Sequence, residues 1–133
     1  MQQDNRELLR RAFEALNSGD DDALVAVWRE DAELYGFPGV PDAPDVYRGH
    51  SGLRAWLGNL RRTFDDVRFE PKEVALEGDV GVIEVAASAK GAGSGVPIEW
   101  LAYIVAHVRG GKIARAEAIR DRDAAFESAG LTP

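Results

Sequence analysis

Along the first twenty positions apolar residues return at Leu8, Leu9, Ala12, Phe13, Ala15 and Leu16, the spacing of a helix that buries one face. It predicts a helix over Asp4–Asn17, with Asp4 and Glu7 as a capping box and Gly19 as its stop. Asp20 or Asp21 caps a second, shorter helix carrying Leu24, Val27 and Trp28 inward. Alternation then replaces the helical stripe. Ala32 to Phe37 reads as a short strand with Leu34 opposed to Tyr35 and Phe37 across the pleat. Pro38 to Asp45 holds three prolines and one glycine, so it is expected to be a loop forming a rim or lid. Ser51 caps the cleanest helix, with Leu53, Trp56, Leu57, Leu60 and Phe64 on one face.

The second half alternates like strands. Val67 to Leu76 is interrupted by Pro71, which places it at an edge or a bulge. Gly78-Asp79 turns into a Val/Ile/Ala strand over Val80–Lys90, and Gly91–Gly95 is a loop. Val96–Val108 and Lys112–Arg122 flank Gly110-Gly111 as a hairpin, and Asp121 or Asp123 caps a last helix before Gly130. A hairpin of this kind needs further strands or helices on its apolar face. The order is three helices with one strand among them, then a strand meander: an α+β fold.

Composition narrows the function classes. The 133 residues fit one domain, 1–133, large enough to bury roughly two thirds of its unfolded surface. No apolar run approaches the roughly 20 residues of a membrane span, and the N-terminus lacks the basic-then-apolar order of a signal peptide. The absence of cysteine fits a cytoplasmic setting. A net charge of −7 without a basic, aromatic-interleaved stretch opposes nucleic-acid binding.

Few motifs carry chemistry. Gly91-x-Gly93-x-Gly95 is followed by Pro97 and a strand, so the helix N-terminus that would hold a phosphate is missing. Asp20-Asp21-Asp22 suits a helix N-terminus better than a metal. His50 and His107 have no metal spacing; no metal and no cofactor are expected. Glu84, Glu99, Glu117 and Arg115 read as the solvated face of a sheet. Trp28, Trp56 and Trp100 fall on two helices and a strand, where they pack a core or line an apolar ligand space.

Taken in order, Leu-Asn-Ser-Gly-Asp (16–20), Trp-Arg-Glu-Asp-Ala-Glu (28–33), Tyr-Arg-Gly-His-Ser-Gly-Leu-Arg (47–54), Gly-Gly-Lys-Ile-Ala-Arg (110–115) and the run from Asp121 to Leu131 resemble a SnoaL-like protein of the nuclear-transport-factor-two-like superfamily. The resemblance implies a cone: a strongly curved mixed or antiparallel sheet wrapped around three N-terminal helices, with a short C-terminal helix. It also implies an apolar pocket and a homodimer through the outer sheet face. The ketosteroid isomerases of that superfamily carry a Tyr and an Asp where this chain has Ala12 and Gly36. The limonene-epoxide hydrolases carry an Arg, two Asp and an Asn at positions matching Val85, Ala87, Ala118 and Phe37; their Tyr matches Tyr35. Neither catalytic set is present. The reading is therefore a small-molecule binding domain with Trp28, Tyr35, Trp56, Trp100 and Arg120 as ligand-binding residues. The alternatives are a lyase, isomerase or cyclase acting on a small apolar ring substrate, with Tyr35 and Arg120 as donors, and a structural association module. Two hairpin registers stay open by pattern: Val105 opposite Ala116, or Ile104 opposite Ala116 with Trp100 opposite Arg120. The resemblance favours the second.

Overall fold

The computed structural model describes residues 2–35 and 45–132. Gly36, Phe37 and the expected rim of residues 38–44 lie outside the described residues. The elements run α1 (Gln2–Ser18), α2 (Asp21–Ala26), β1 (Trp28–Tyr35), β2 (Val46–Arg48), α3 (Gly49–Thr63), β3 (Phe64–Glu77), β4 (Val80–Gly91), β5 (Pro97–Arg109), β6 (Lys112–Ile119) and α4 (Arg122–Ala129). One curved, unclosed mixed sheet has the order β2-β1-β6-β5-β4-β3. β1 pairs parallel to β6 and every other neighbour is antiparallel. β3 is an edge strand, which accommodates Pro71 where the missing N–H costs no ladder bond. Register breaks at Asp65/Arg68 and Glu73/Ala75 add the local twist that bends the sheet.

The caps differ from expectation in detail. Asp20 caps α2, its side chain accepting from Ala23 N at 3.1 Å, while Asp21 pairs with Arg61 and Asp22 with Arg54. The acidic run is thus used up in one cap and two ion pairs. Asp121 caps α4, accepting from Ala124 N at 3.0 Å. Asp4 lies inside the first turn of α1 rather than at its cap. Ser51 likewise is no cap, because α3 begins at Gly49 behind Arg48. That start is tight: a Cβ on Gly52 would stand 2.9 Å from the Tyr47 carbonyl carbon, so glycine lets the helix sit on β2. Trp28 is not on the second helix, which stops at Ala26, but opens β1 opposite Ile113. Phe64 opens β3 instead of closing α3.

The β5–β6 hairpin follows neither expected register. Gly110 and Gly111, with φ of 60° and 76°, form the tight two-residue turn that demands left-handed backbone twice, and Arg109 pairs with Lys112. A bulge then intervenes: Val108 faces Ile113, but His107 faces Arg115, leaving Ala114 as the extra residue. Beyond it Ala106 pairs with Ala116, Ile104 with Ala118 and Tyr103 with Ile119. One extra residue reverses which side chains face which way. The facing is therefore that of the longer loop, although the pairing is not. Arg120, just past β6, comes level with Ala102 and two residues from Trp100, so the expected Trp100–Arg120 pair does not form.

The inner face packs on α1, α2 and α3. Leu8, Leu9 and Ala12 of α1, Leu53, Trp56 and Leu57 of α3, and Ile83, Val85 and Ala106 of the sheet belong to the main buried cluster. Asn17 fastens α1 to the free edge of β3, donating from Nδ2 to Phe69 O at 2.7 Å and accepting from Phe69 N at 2.8 Å. The outer face has a second core. α4 lays Ala125 and Phe126 on Val82, Tyr103 and Val105, with Ile119 packed beside them. The apolar outer patch expected to hold a second subunit is thus largely covered by the chain's own last helix, leaving Leu101, 49% exposed.

Candidate functional site

Between the concave sheet and the helices lies a cavity of about 310 Å³, the lower end of the range in which small ligands are held. Alternation along the strands decides its wall. On β5 the even positions Trp100, Ala102, Ile104 and Ala106 face inward; on β6, past the bulge, Ala116 and Ala118 do so. The roof comes from Leu9, Ala12, Phe13 and Leu16 of α1 and from Trp56 and Leu60 of α3. Among the described residues of the wall, Arg120 alone is charged, and no carboxylate is present.

The predicted residues divide. Trp28, Trp56, Trp100 and Arg120 all line the cavity. Tyr35 does not. Its neighbour Leu34 takes the inward position, and Tyr35 stands on the outer face with the Arg115 guanidinium 4.4 Å from its ring centroid. The assignment of Tyr35 to the pocket is thereby corrected: with a period of two, Leu34 and Tyr35 cannot share a face. Around Tyr35 the outer face is ionic. Arg48 bonds Glu33 at 3.2 Å and Arg115 pairs with Glu117 at 3.1 Å. The hydrogen bond from Arg48, then one from Tyr35, holds the Glu33 carboxyl below its ordinary range.

The two ends of the cavity differ. Trp28 sits opposite Ile113 near the hairpin turn, and Arg120 lies seven residues further along, at most roughly 23 Å of extended chain. At the inner end His50, in the first turn of α3, donates from Nε2 to the Trp28 carbonyl at 2.8 Å. The Trp28 indole Nε1 is buried and has no hydrogen-bond partner among the described residues, an expensive state for an N–H in an apolar wall. At the outer end Trp100 packs against Phe64 (centroids 5.4 Å, tilted) and Phe69 (6.4 Å, edge-on). Arg120 is exposed and, among the described residues, forms no hydrogen bond, ion pair or ring contact. Neither cation–π contact with Trp100 nor a salt bridge to Asp123 or Glu99 is made.

The catalytic positions of the resembling enzymes also come to the wall. Ala12, Val85 and Ala118 all line the cavity, while Ala87 is buried on the same face of the sheet. Their side chains are methyl and isopropyl groups, and among its described residues the wall carries no carboxylate or imidazole that could act as a general base. His107 lies on the outer face, opposite Arg115. Sequence reasoning missed β2, Phe13 and Phe69, although the last two belonged to visible apolar patterns. Among the described residues no group of three His, Asp or Glu could hold a metal, and no helix is long and apolar enough to cross a membrane.

The SnoaL-like domain pattern matches residues 9–116. Among curated proteins none matches the sequence. Solved structures share the fold. TerC, crystallised with polyporic acid, superposes with a TM-score of 0.80 at 20% identity, covering 95% of this chain and 97% of that one. A polyketide cyclase-like protein from Xanthomonas campestris pv. campestris gives 0.77 at 19% identity, with 98% and 97% covered. SalBIII, an epoxide hydrolase/cyclase-like enzyme with a role in pyran ring formation in polyether salinomycin, gives 0.74 at 23%, with 92% and 96% covered.

Proposed function

The chain belongs to the SnoaL-like domain family, and on that premise we propose that it binds a small apolar molecule carrying one anionic group. The observation behind this reading is the cavity wall: apolar throughout its described part except for Arg120, which stands at the mouth without a partner among the described residues. Burial of the ligand body supplies affinity in proportion to the apolar area removed from water. The guanidinium supplies orientation through a charge-assisted bond. A chain of net charge −7 would otherwise repel an anion, so the local cation sets the preference. The likeness to TerC, crystallised with an acid, points the same way. A filled core would have favoured a structural association module.

The test uses two fluorescent probes that share a body and differ by one charge, 8-anilinonaphthalene-1-sulfonate and N-phenyl-1-naphthylamine. Energy transfer from Trp28, Trp56 and Trp100 reports entry into the cavity. Wild type should bind both and prefer the sulfonate, and Arg120→Leu should reduce that preference about tenfold, near 1.4 kcal/mol. An unchanged ratio would remove Arg120 from the reading, and no binding of either probe would remove the reading itself.

A second reading is a cyclase-type enzyme, favoured by the likeness to SalBIII and the polyketide cyclase-like protein. With no carboxylate in the described wall, chemistry would rest on positioning by the apolar walls and on Arg120 stabilising a developing oxyanion. Tyr35, on the outer face, has no part in it. For assembly, we propose that a homodimer would use the strip around Leu101 that α4 leaves open. A cytoplasmic setting is supported by the lack of cysteine.

A further inference from the structure

We propose that the open strand edge of β5 over residues 97–101 is a docking site for an extended peptide that alternates apolar side chains with a basic residue facing Glu99. The site lies outside the cavity and does not depend on the binding reading above. β5 runs from Pro97 to Arg109, but β6 ends at Ile119, opposite Tyr103. Below that pair β5 has a strand neighbour on the β4 side only. One bond fixes which backbone groups are left over. Gly91 N donates to the Val96 carbonyl at 2.9 Å, so Val96 turns its carbonyl toward β4. In the unbroken antiparallel register Ile98 and Trp100 turn the same way, and Pro97, Glu99 and Leu101 turn away. The carbonyls of those three residues and the N–H groups of Glu99 and Leu101 therefore have no backbone partner among the described residues, along about 17 Å of strand.

An edge of this kind is a template for another strand, and its side chains say which. Among the described residues the two exposed large apolar side chains, Val96 (57%) and Leu101 (49%), both belong to this segment. Glu99 lies between them, exposed and without an ion-pair partner among the described residues. Directly opposed side chains stand about 5 Å apart, where opposite charges stabilise and like charges destabilise. A Lys or Arg therefore fits opposite Glu99, and apolar residues fit opposite Leu101 and, on the inner side, opposite Ile98 and Trp100. A second copy of the chain fits this edge badly. About a two-fold axis, Glu99 would meet either the Glu99 of the other copy or its Pro97, which has no N–H to give. Meeting Leu101 instead would drive Pro97 against Tyr103, whose edge Ile119 already fills. The net charge of −7 likewise draws a basic segment and repels a copy. The face-to-face homodimer proposed above leaves these backbone groups unused.

The experiment measures fluorescence anisotropy of a fluorescein-labelled peptide, Ser-Val-Val-Lys-Val-Thr amide, whose Lys falls opposite Glu99 when the strands pair antiparallel. Wild type should bind it with a Kd below about 1 mM. Methylating the backbone nitrogen of the peptide's Lys, which faces β5 in that pairing, should weaken binding about tenfold or more. Methylating that of the following Val, which faces away, should change it less than about threefold. These two peptides carry the same charge, so they separate strand pairing from general attraction to an acidic protein. Leu101→Pro removes a donor that points away from β4 and should weaken the peptide about tenfold while leaving the sheet paired. Glu99→Lys should reverse the preference for the Lys peptide over its Glu counterpart. Thermal melts accompany both variants; if Leu101→Pro does not fold, the methylated peptides and Glu99→Lys carry the test. No binding at 1 mM peptide overturns the proposal, as does equal binding of the two methylated peptides or a charge preference untouched by Glu99→Lys. Light scattering that shows a wild-type dimer abolished by Leu101→Pro would make a second copy the occupant and overturn it too. None of these outcomes bears on the cavity, whose ligand reading stands or falls with the naphthalene probes.

Discussion

Asn17 holds Phe69 by both of its backbone polar groups, its amide donating to the carbonyl and its oxygen accepting from the N–H. β3 is an edge strand, so those two groups would otherwise face outward unpaired, and one carboxamide takes the place of a neighbouring strand. The same contact fixes the Phe69 ring edge-on to Trp100, 6.4 Å away. The end of the first helix is thereby joined to the aromatic mouth of the cavity.

Asn17→Ala should therefore cost about 1–3 kcal/mol, since it removes two hydrogen bonds and leaves partly buried backbone groups unpaired. Asn17→Asp should not rescue it, because a carboxylate cannot donate to the Phe69 carbonyl. Urea unfolding followed by tryptophan fluorescence measures both. A loss below about 0.5 kcal/mol in either would mean that water replaces the amide without cost.

Trp28→Phe should behave unusually for a core truncation. The indole N–H is buried and unpartnered among the described residues, and removing it relieves a penalty of about 1–3 kcal/mol that offsets the lost ring contacts. The expected change is within about 1 kcal/mol of zero, against several for an ordinary large-to-small core change. A loss beyond about 3 kcal/mol would show that the N–H is in fact satisfied.

Phe126 is 3% exposed and joins α4 to the outer face. Phe126→Ala should destabilise by about 3–5 kcal/mol and uncover apolar surface around Tyr103 and Val105 that favours self-association. Light scattering against concentration checks the second effect; association identical to wild type would show that the outer face is not sticky when uncovered.

The pH dependence follows from His107. Burial holds its imidazole below the ordinary 6.5, Arg115 acts in the same direction and Glu117 opposes them. As pH falls the unfolded chain takes up this proton before the folded one, so the contribution is fully present above 6.5 and is lost as pH drops through the folded value. His107→Gln should narrow the difference in melting temperature between pH 7.5 and pH 5. The ion-paired carboxyls of Asp21 and Glu73, depressed chiefly by hydrogen bonds from Arg61 and Arg6, lose their contribution mainly below about pH 5. An unchanged difference in the variant would assign the slope to other groups.

Much of this molecule was written into its periodicity. The apolar stripes of α1 and α3, the β3–β4 and β5–β6 turns and the caps Asp20 and Asp121 are local features, since spacing and turn chemistry act within a few residues. The α+β order followed from the same patterns, and the motif order carried the cone. What local pattern could not supply was facing. Tyr35 or Leu34 could each have pointed inward, and only pairing of β1 with β6 chose Leu34. The hairpin sequence allowed two registers and the chain took a third, because a tight glycine turn followed by a bulge at Ala114 satisfied both the turn and the apolar face. Likewise nothing local announced that α4 would cover the outer sheet, or that Asn17 would complete an edge 52 residues away. Those outcomes depend on which distant surfaces meet, and that is decided by burying apolar area and pairing backbone groups over the whole chain at once.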